Sequence, residues 1–185
     1  MEQLIYKKMP PATRYFERNL EDYFHFCHSL RKMTDDLFYG KNPAFLCIGT
    51  DRMTGDCLGP LVGHKLEKHF SGSVPVFGTL KHPIHALNLQ NAMSQIPDRA
   101  QDSFLIVIDA ALGLPDHIGS VTLSPGALSP GEGMRKKLPA VGDLAITGIV
   151  NSCHGNASLL LQNTRLHLVN ELADFIFTGL ISCFS

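Results

Sequence analysis

The sequence predicts an α/β protein with a largely parallel sheet covered by helices on both faces. Three observations predict it. Short apolar runs alternate with stretches of helical period along most of the chain. The runs AFLCIG and FLIVI are continuous rather than alternating, as in strands buried on both faces. The composition, 44% hydrophobic and 18% charged, is that of a globular chain able to bury a substantial core in its 185 residues.

The elements follow in order. Residues 13–38 are predicted as one amphipathic helix, with Phe16, Leu20, Phe24, Leu30 and Leu37 among its apolar positions. Pro10-Pro11 precedes it and residues 39–43 end it. This gives an N-terminal helical extension over 1–42, followed by an α/β domain over 43–185. AFLCIG is the first strand of that domain. The stripe Leu58, Leu61, Val62, Leu66 and Phe70 marks the helix after it. VPVFGTL then reads as a strand, HPIHALNLQNAMSQI as a helix, and FLIVIDAAL as the clearest strand of all. IGSVTL and DLAITGIV are two more strands. A helical region from about Asn156 closes the chain, with Leu166, Val169, Ala173, Ile176, Phe177 and Leu180 at helical spacing. Between the last two strands, SPGALSPGEGMRKKLPAVGD is a long Gly/Pro-rich loop of the length that often carries function.

Several function classes lose support. A formal net charge of −1 gives no basis for nucleic-acid binding, so none is expected. Five cysteines without paired spacing, and no CxxC, argue against a disulfide framework or a zinc site. The first residues lack the continuous apolar core of a signal peptide. The apolar tail LVNELADFIFTGLISCF is interrupted by Glu171 and Asp174 and is short for a bilayer span. A reducing cytoplasm without membrane association is the expectation.

The chemistry concentrates in CIGTDRMTGDCLGP and at the end of FLIVID. In an open α/β sheet, ligands bind outside the carboxyl ends of the strands. Asp51 and Asp56, after the first strand, and Asp109, ending the third, are therefore expected at one edge. Asp56 directly precedes a helical stripe, so a helix N-cap is its structural reading. Asp109 closes a buried strand, where desolvation raises a carboxyl pKa. Two neighbouring carboxyls can divide the work, one protonated as acid and the other activating water. Asp51 is a turn residue that orients its partners, and Gly49, Gly55 and Gly59 shape the cleft. Of the nine histidines, His82 and His85 follow the second strand and His154 follows DLAITGIV. A divalent metal on Asp56, Asp109 and His154 is the alternative, since carboxylates with imidazole suit such ions. No HExxH, GxSxG, GxxxxGK[ST] or GxGxxG occurs.

The ordered motifs CIGTDRMTGDCLGPLVGHKL, VFGTLKHPIHALNL, VIDAALG, LPAVGDLAITGIVN and LLLQNTRL resemble the YyaC family of sporulation proteins from about Phe45 to the final helix. That family is similar, more distantly, to the spore germination protease and to hydrogenase maturation endopeptidases. The resemblance implies a three-layer α/β/α sandwich of phosphorylase/hydrolase-like type. It also implies an endopeptidase-like site acting on a spore protein or peptide in a sporulating cell. The aspartates of the germination protease lie in a motif and a strand end matched by Asp56 in GDCLGP and Asp109 in VIDAALG. The hydrogenase endopeptidases hold nickel with acidic residues and a histidine, for which His154 is the positional counterpart. No cofactor is expected under the paired-aspartate reading. A non-catalytic regulatory or scaffold role on the same fold is the alternative, and a homo-oligomer remains open.

Overall fold

The computed structural model describes residues 13–100, 102–130 and 139–185. Six strands form one sheet: β1 (Arg14–Phe16), β2 (Asn42–Cys47), β3 (Val76–Phe77), β4 (Ser103–Gly113), β5 (Val121–Pro125) and β6 (Leu144–Ser152). Their spatial order is β1-β5-β6-β4-β2-β3. The centre is parallel: β4 pairs with β6 on one side and β2 on the other, and β2 pairs with β3. The other edge is antiparallel, β5 on β6 and β1 on β5. The sheet is thus mixed, where the sequence predicted a largely parallel one. The reason is the short link over 114–120 between β4 and β5. A parallel crossover needs a dozen or more residues, so β5 can only enter the sheet reversed.

Helices α1 (Leu20–Phe38), α2 (Leu58–Phe70), α3 (Leu89–Arg99), α4 (Ala157–Gln162) and α5 (Leu166–Phe184) complete the fold. Strand alternation divides the core between the two sheet faces. Phe45, Cys47, Ile106, Ile108, Leu144 and Ile146 pack with residues of α1, α2 and α5. Ala44, Leu46, Ile48, Leu105, Val107 and Ala145 pack with Leu89 and Ile96 of α3. Among the described residues, α5 alone is long and apolar enough by length and composition to cross a membrane, with mean hydropathy 1.3. Its face bearing Val169, Leu172, Ala173, Ile176 and Leu180 is fully buried in the first cluster, which accounts for that apolarity.

The start of the chain differs from the predicted continuous helix over 13–38. Arg14–Phe16 is an edge strand in register with Leu123 to Val121. The helix begins only at Leu20, where the Asn19 side chain accepts the Asp22 N–H at 2.8 Å and forms the N-cap. The Asp22 carboxylate in turn accepts the Glu17 N–H at 2.6 Å, turning the chain out of the strand. Phe16 meets Phe26 edge to face, with ring centroids 5.4 Å apart, and Phe26 packs on Phe175 of α5. Within its described part, the segment read as an extension over 1–42 therefore supplies an edge strand and a core helix to the common sheet.

Helix α3 also begins later than predicted, at Leu89. Pro83 and Asn88 hold the preceding residues in a turn: the Asn88 side chain accepts the His85 N–H at 2.8 Å and donates to the Pro83 carbonyl at 3.0 Å. The predicted strand VPVFGTL contracts to Val76–Phe77.

Phe26 is fully buried, and it occupies the space a side chain at Gly179 would need. Phe26→Ala is expected to destabilise the protein by about 3–5 kcal/mol through the cavity it leaves. Urea unfolding monitored by circular dichroism measures this. A loss below about 1 kcal/mol would mean that α1 is not part of the cooperative core.

Candidate functional site at the carboxyl edge of the sheet

The site begins where β2 runs out. The Ile48 N–H donates to the Ile108 carbonyl at 2.7 Å, extending the β2–β4 pairing by one residue. The Gly49 N–H turns the other way, to the Ile84 carbonyl at 2.7 Å, so the loop before α3 is tied to the same strand end. From there the chain closes on itself. The Thr50 N–H donates to the Asp56 carbonyl at 3.1 Å, and the Asp56 N–H to the Met53 carbonyl at 3.1 Å. Gly55–Cys57 forms a single 3-10 turn that leads directly into α2.

This loop needs glycine for two separate reasons. Gly49 has φ +139°, and a Cβ there would collide with the Asp56 carbonyl oxygen. Gly59, in the first turn of α2, lies so close to β2 that a Cβ would stand 2.7 Å from the Ile48 nitrogen. Gly55 is buried under α4, facing Leu161 and the Thr164 hydroxyl. All three predicted cleft glycines are thus buried contact points between main chain and neighbour.

Asp56 lies in the 3-10 turn, partly buried. Its side chain does not cap α2, whose N-cap residue is Cys57 without a side-chain hydrogen bond, so the N-cap expectation is not met. The interposed 3-10 turn displaces Asp56 from the capping position. Burial pushes its carboxyl pKa above the usual range, opposed by a hydrogen bond from the Thr50 backbone and by the positive field of His85.

Asp109 is only 5% exposed. It directly follows Ile108, which accepts from Ile48, but it does not end the strand as the sequence predicted: β4 continues to Gly113 because β6 pairs with it past Asp109, which stands in register with Thr147. One carboxyl oxygen accepts the Ala110 N–H at 2.9 Å. Since Ile108 faces the α1/α2/α5 cluster, the pleat sends Asp109 toward the α3 side of the sheet. That is also the side of Ile84, which bridges Ile48 in parallel and precedes His85. A continuous chain of contacts therefore links the positions of Asp56 and Asp109: Asp56 on Gly49, Ile48 on Ile108, and Asp109 next in line.

The remaining predicted residues stand apart from this pair. Asp51 is exposed at the loop tip, and its charge acts on Cys57. His154 is exposed in the bend after β6, its N–H held by the Ser152 hydroxyl at 3.1 Å. Among the described residues, no group of three or more His, Cys, Asp or Glu side chains is arranged to hold a metal ion. The proposed trio of Asp56, Asp109 and His154 accordingly forms no ligand set here. The imidazole that acts on Asp56 is His85, on the turn locked by Pro83 and Asn88. Sequence reasoning named His85 as an edge candidate but did not join it to the carboxylates. The available signal was HPIH at a strand end, where proline prevents the helix from starting. Cys57 is buried beside Asp51 and Asp56, which pushes its thiol up to about 11, and burial raises Cys47 further. Neither is a thiolate nucleophile at neutral pH.

Fold and site together define an α/β protein with two carboxylates at the carboxyl edge of a mixed sheet. The chain belongs to the family described as "Protein of unknown function (DUF1256)", which matches residues 14–179. It is also 45% identical over 152 residues to the "Uncharacterized protein YyaC" of Bacillus subtilis (strain 168), an alignment covering 82% of this chain and 72% of that protein. The family match begins at the first residue of β1. It therefore includes the strand and helix that lie ahead of Phe45, where the motif resemblance starts.

Two outcomes follow from this geometry. Gly49→Ala is expected to cost about 1–3 kcal/mol of stability, since it combines a disfavoured φ with a main-chain collision; chemical denaturation measures it. Asp56→Asn is expected to raise the melting temperature at pH 7. Native Asp56 binds its proton more tightly than the unfolded chain does, so wild type loses stability as pH rises from the ordinary value of 3.8 through the raised one. The advantage of Asn should disappear below that ordinary value. An equal melting difference at all pH values would show that desolvation of the charge is not its source.

Proposed function

We propose that this chain is an aspartate-dependent endopeptidase acting on a spore protein or peptide in the cytoplasm of a sporulating cell. The observation that supports this reading is the presence of a carboxyl with a raised pKa, Asp56, just past β2, and of a buried carboxyl, Asp109, on the neighbouring strand β4. In this reading the helices on both sheet faces are the outer layers of an α/β/α sandwich of hydrolase-like type.

Asp56 is suited to the acid role, because burial favours its protonated form. It would donate to the scissile carbonyl oxygen as the tetrahedral intermediate forms. Asp109 would be the partner that accepts a proton from the attacking water. The proton on Asp56 then passes onto the substrate, and the one taken by Asp109 is available for the leaving amine. His85 adds a positive field that restrains how far the Asp56 pKa rises. The Gly49 and Gly59 contacts hold the loop by main chain, which keeps the acid in place without a side-chain cap. No step is routed through a metal, since the candidate ligands do not come together as a set.

The test is incubation of a spore-protein extract with the purified chain, beside Asp56→Asn and Asp109→Asn, each with and without chelator. Discrete fragments from wild type, reduced at least about 100-fold in either variant and unaffected by chelator, are expected. Chelator-sensitive cleavage would favour a metal-dependent maturation peptidase instead. Cleavage unchanged in both folded variants, or absent in every lane, would overturn the paired-aspartate reading; the second result favours a regulatory or scaffold role.

A further inference from the structure

We propose that Cys27 of α1 and Cys183 of α5 form an oxidisable pair, a disulfide modification site that staples the last turn of the C-terminal helix to the N-terminal one. This inference rests on helix packing and stands independently of the peptidase proposal.

The Cys183 thiol meets Cys27 because three residues on one stripe of α1 all reach the end of α5. Tyr23, Cys27 and Arg31 are four residues apart, so they lie above one another on the helix surface. The Tyr23 hydroxyl bonds the Ser182 hydroxyl at 2.8 Å and donates to the Thr178 carbonyl at 3.3 Å. The Arg31 guanidinium donates to the carbonyls of Ser182, at 2.9 Å, and Cys183, at 3.4 Å. Between these two clamps the Cys183 thiol donates to the Cys27 carbonyl at 3.5 Å. The buried contact of Phe26 with Phe175 and Gly179 fixes the same helix pair from beneath. Cys27 and Cys183 are both partly accessible, so a small reagent can reach them. The other three thiols are placed differently: Cys47 and Cys57 are buried, and Cys153 lies on the bend after β6.

Burial and the neighbouring Cys27 thiol push Cys183 up to about 11, with the Arg31 guanidinium opposing. Cys183 is therefore a thiol at neutral pH, and the pair closes only under sustained oxidation. The oxidant is a low-molecular-weight disulfide. The Cys27 thiolate attacks one of its sulfurs, forming a mixed disulfide and expelling one small thiolate. The Cys183 thiolate then attacks the Cys27 sulfur, forming the Cys27–Cys183 bond and expelling the second. The protein loses two electrons, the reagent becomes two thiols, and the two cysteine protons pass to them through solvent. The new bond closes a loop from residue 27 to residue 183, which restricts the unfolded chain strongly.

The experiment treats the full chain with cystine, blocks remaining thiols, and digests with trypsin without reduction. Cleavage after Arg18, Arg31 and Arg165 should release peptide 19–31 joined to 166–185, two hydrogens lighter than their sum. The melting temperature should rise by about 5 °C or more on oxidation, fall back on adding reductant, and remain unchanged by cystine in Cys27→Ser. Absence of the joined peptide, a bond to Cys153 instead, or linkage only between two molecules would overturn the proposal. The peptide readout uses wild type, so it holds even if the serine variant folds poorly.

Discussion

The structure depends on one close approach of main chain to main chain, where β2 hands over to α2. Gly59 sits against the backbone of Ile48, and Gly49 against the carbonyl of Asp56. No side chain fits between the strand end and the helix start, so the loop over 49–57 must fold tightly back on itself. Interiors packed at crystal density transmit such contacts without slack. The position of Asp56 is consequently fixed by strand pairing, through Ile48 to Ile108, rather than by the rotamer of any neighbour. The same pairing brings Asp109 to the next position on β4.

That arrangement carries an energetic penalty. A carboxyl removed from water without a full set of donors is destabilising in its charged form. Asp56 has a backbone hydrogen bond from Thr50 and the field of His85 in its favour, and its pKa is raised by burial nonetheless. Asp109 is buried within β4, directly after the apolar run over 104–108. The charged form of Asp56 is thus a cost that the close-packed loop imposes at the carboxyl end of β2.

The opposite side of the molecule is built for persistence. Helix α5 buries one apolar face on the sheet and on α2, and α1 closes over it through Phe26, Tyr23 and Arg31. Strand β1 then caps the antiparallel edge with only three residues, and β3 caps the parallel edge with two. Short edge strands present few unpaired groups for pairing with another chain. The N-terminal segment is therefore structural in two ways, as edge cover and as a helical layer, and the family match includes it from residue 14.

By itself the sequence determined the central strands and their polarity of function. AFLC, FLIVI and LAITGIV are continuous apolar runs, a local property that burial on both faces imposes, and they became β2, β4 and β6. It also determined that Asp56 follows one such run and Asp109 another, while only the structure extends β4 past Asp109 to Gly113. Tertiary structure alone decided the rest. The reversal of β5 depends on the reach of a seven-residue link over 114–120, and β1 exists only because β5 offers it an edge. The capping position of α2 fell to Cys57 because Gly49 and Gly59 press the chain into a 3-10 turn first. His85 rather than His154 acts on Asp56 because the Gly49 N–H is bound by Ile84, a contact across 35 residues. Periodicity records which side of an element is buried; it carries no information about which distant residue completes the contact.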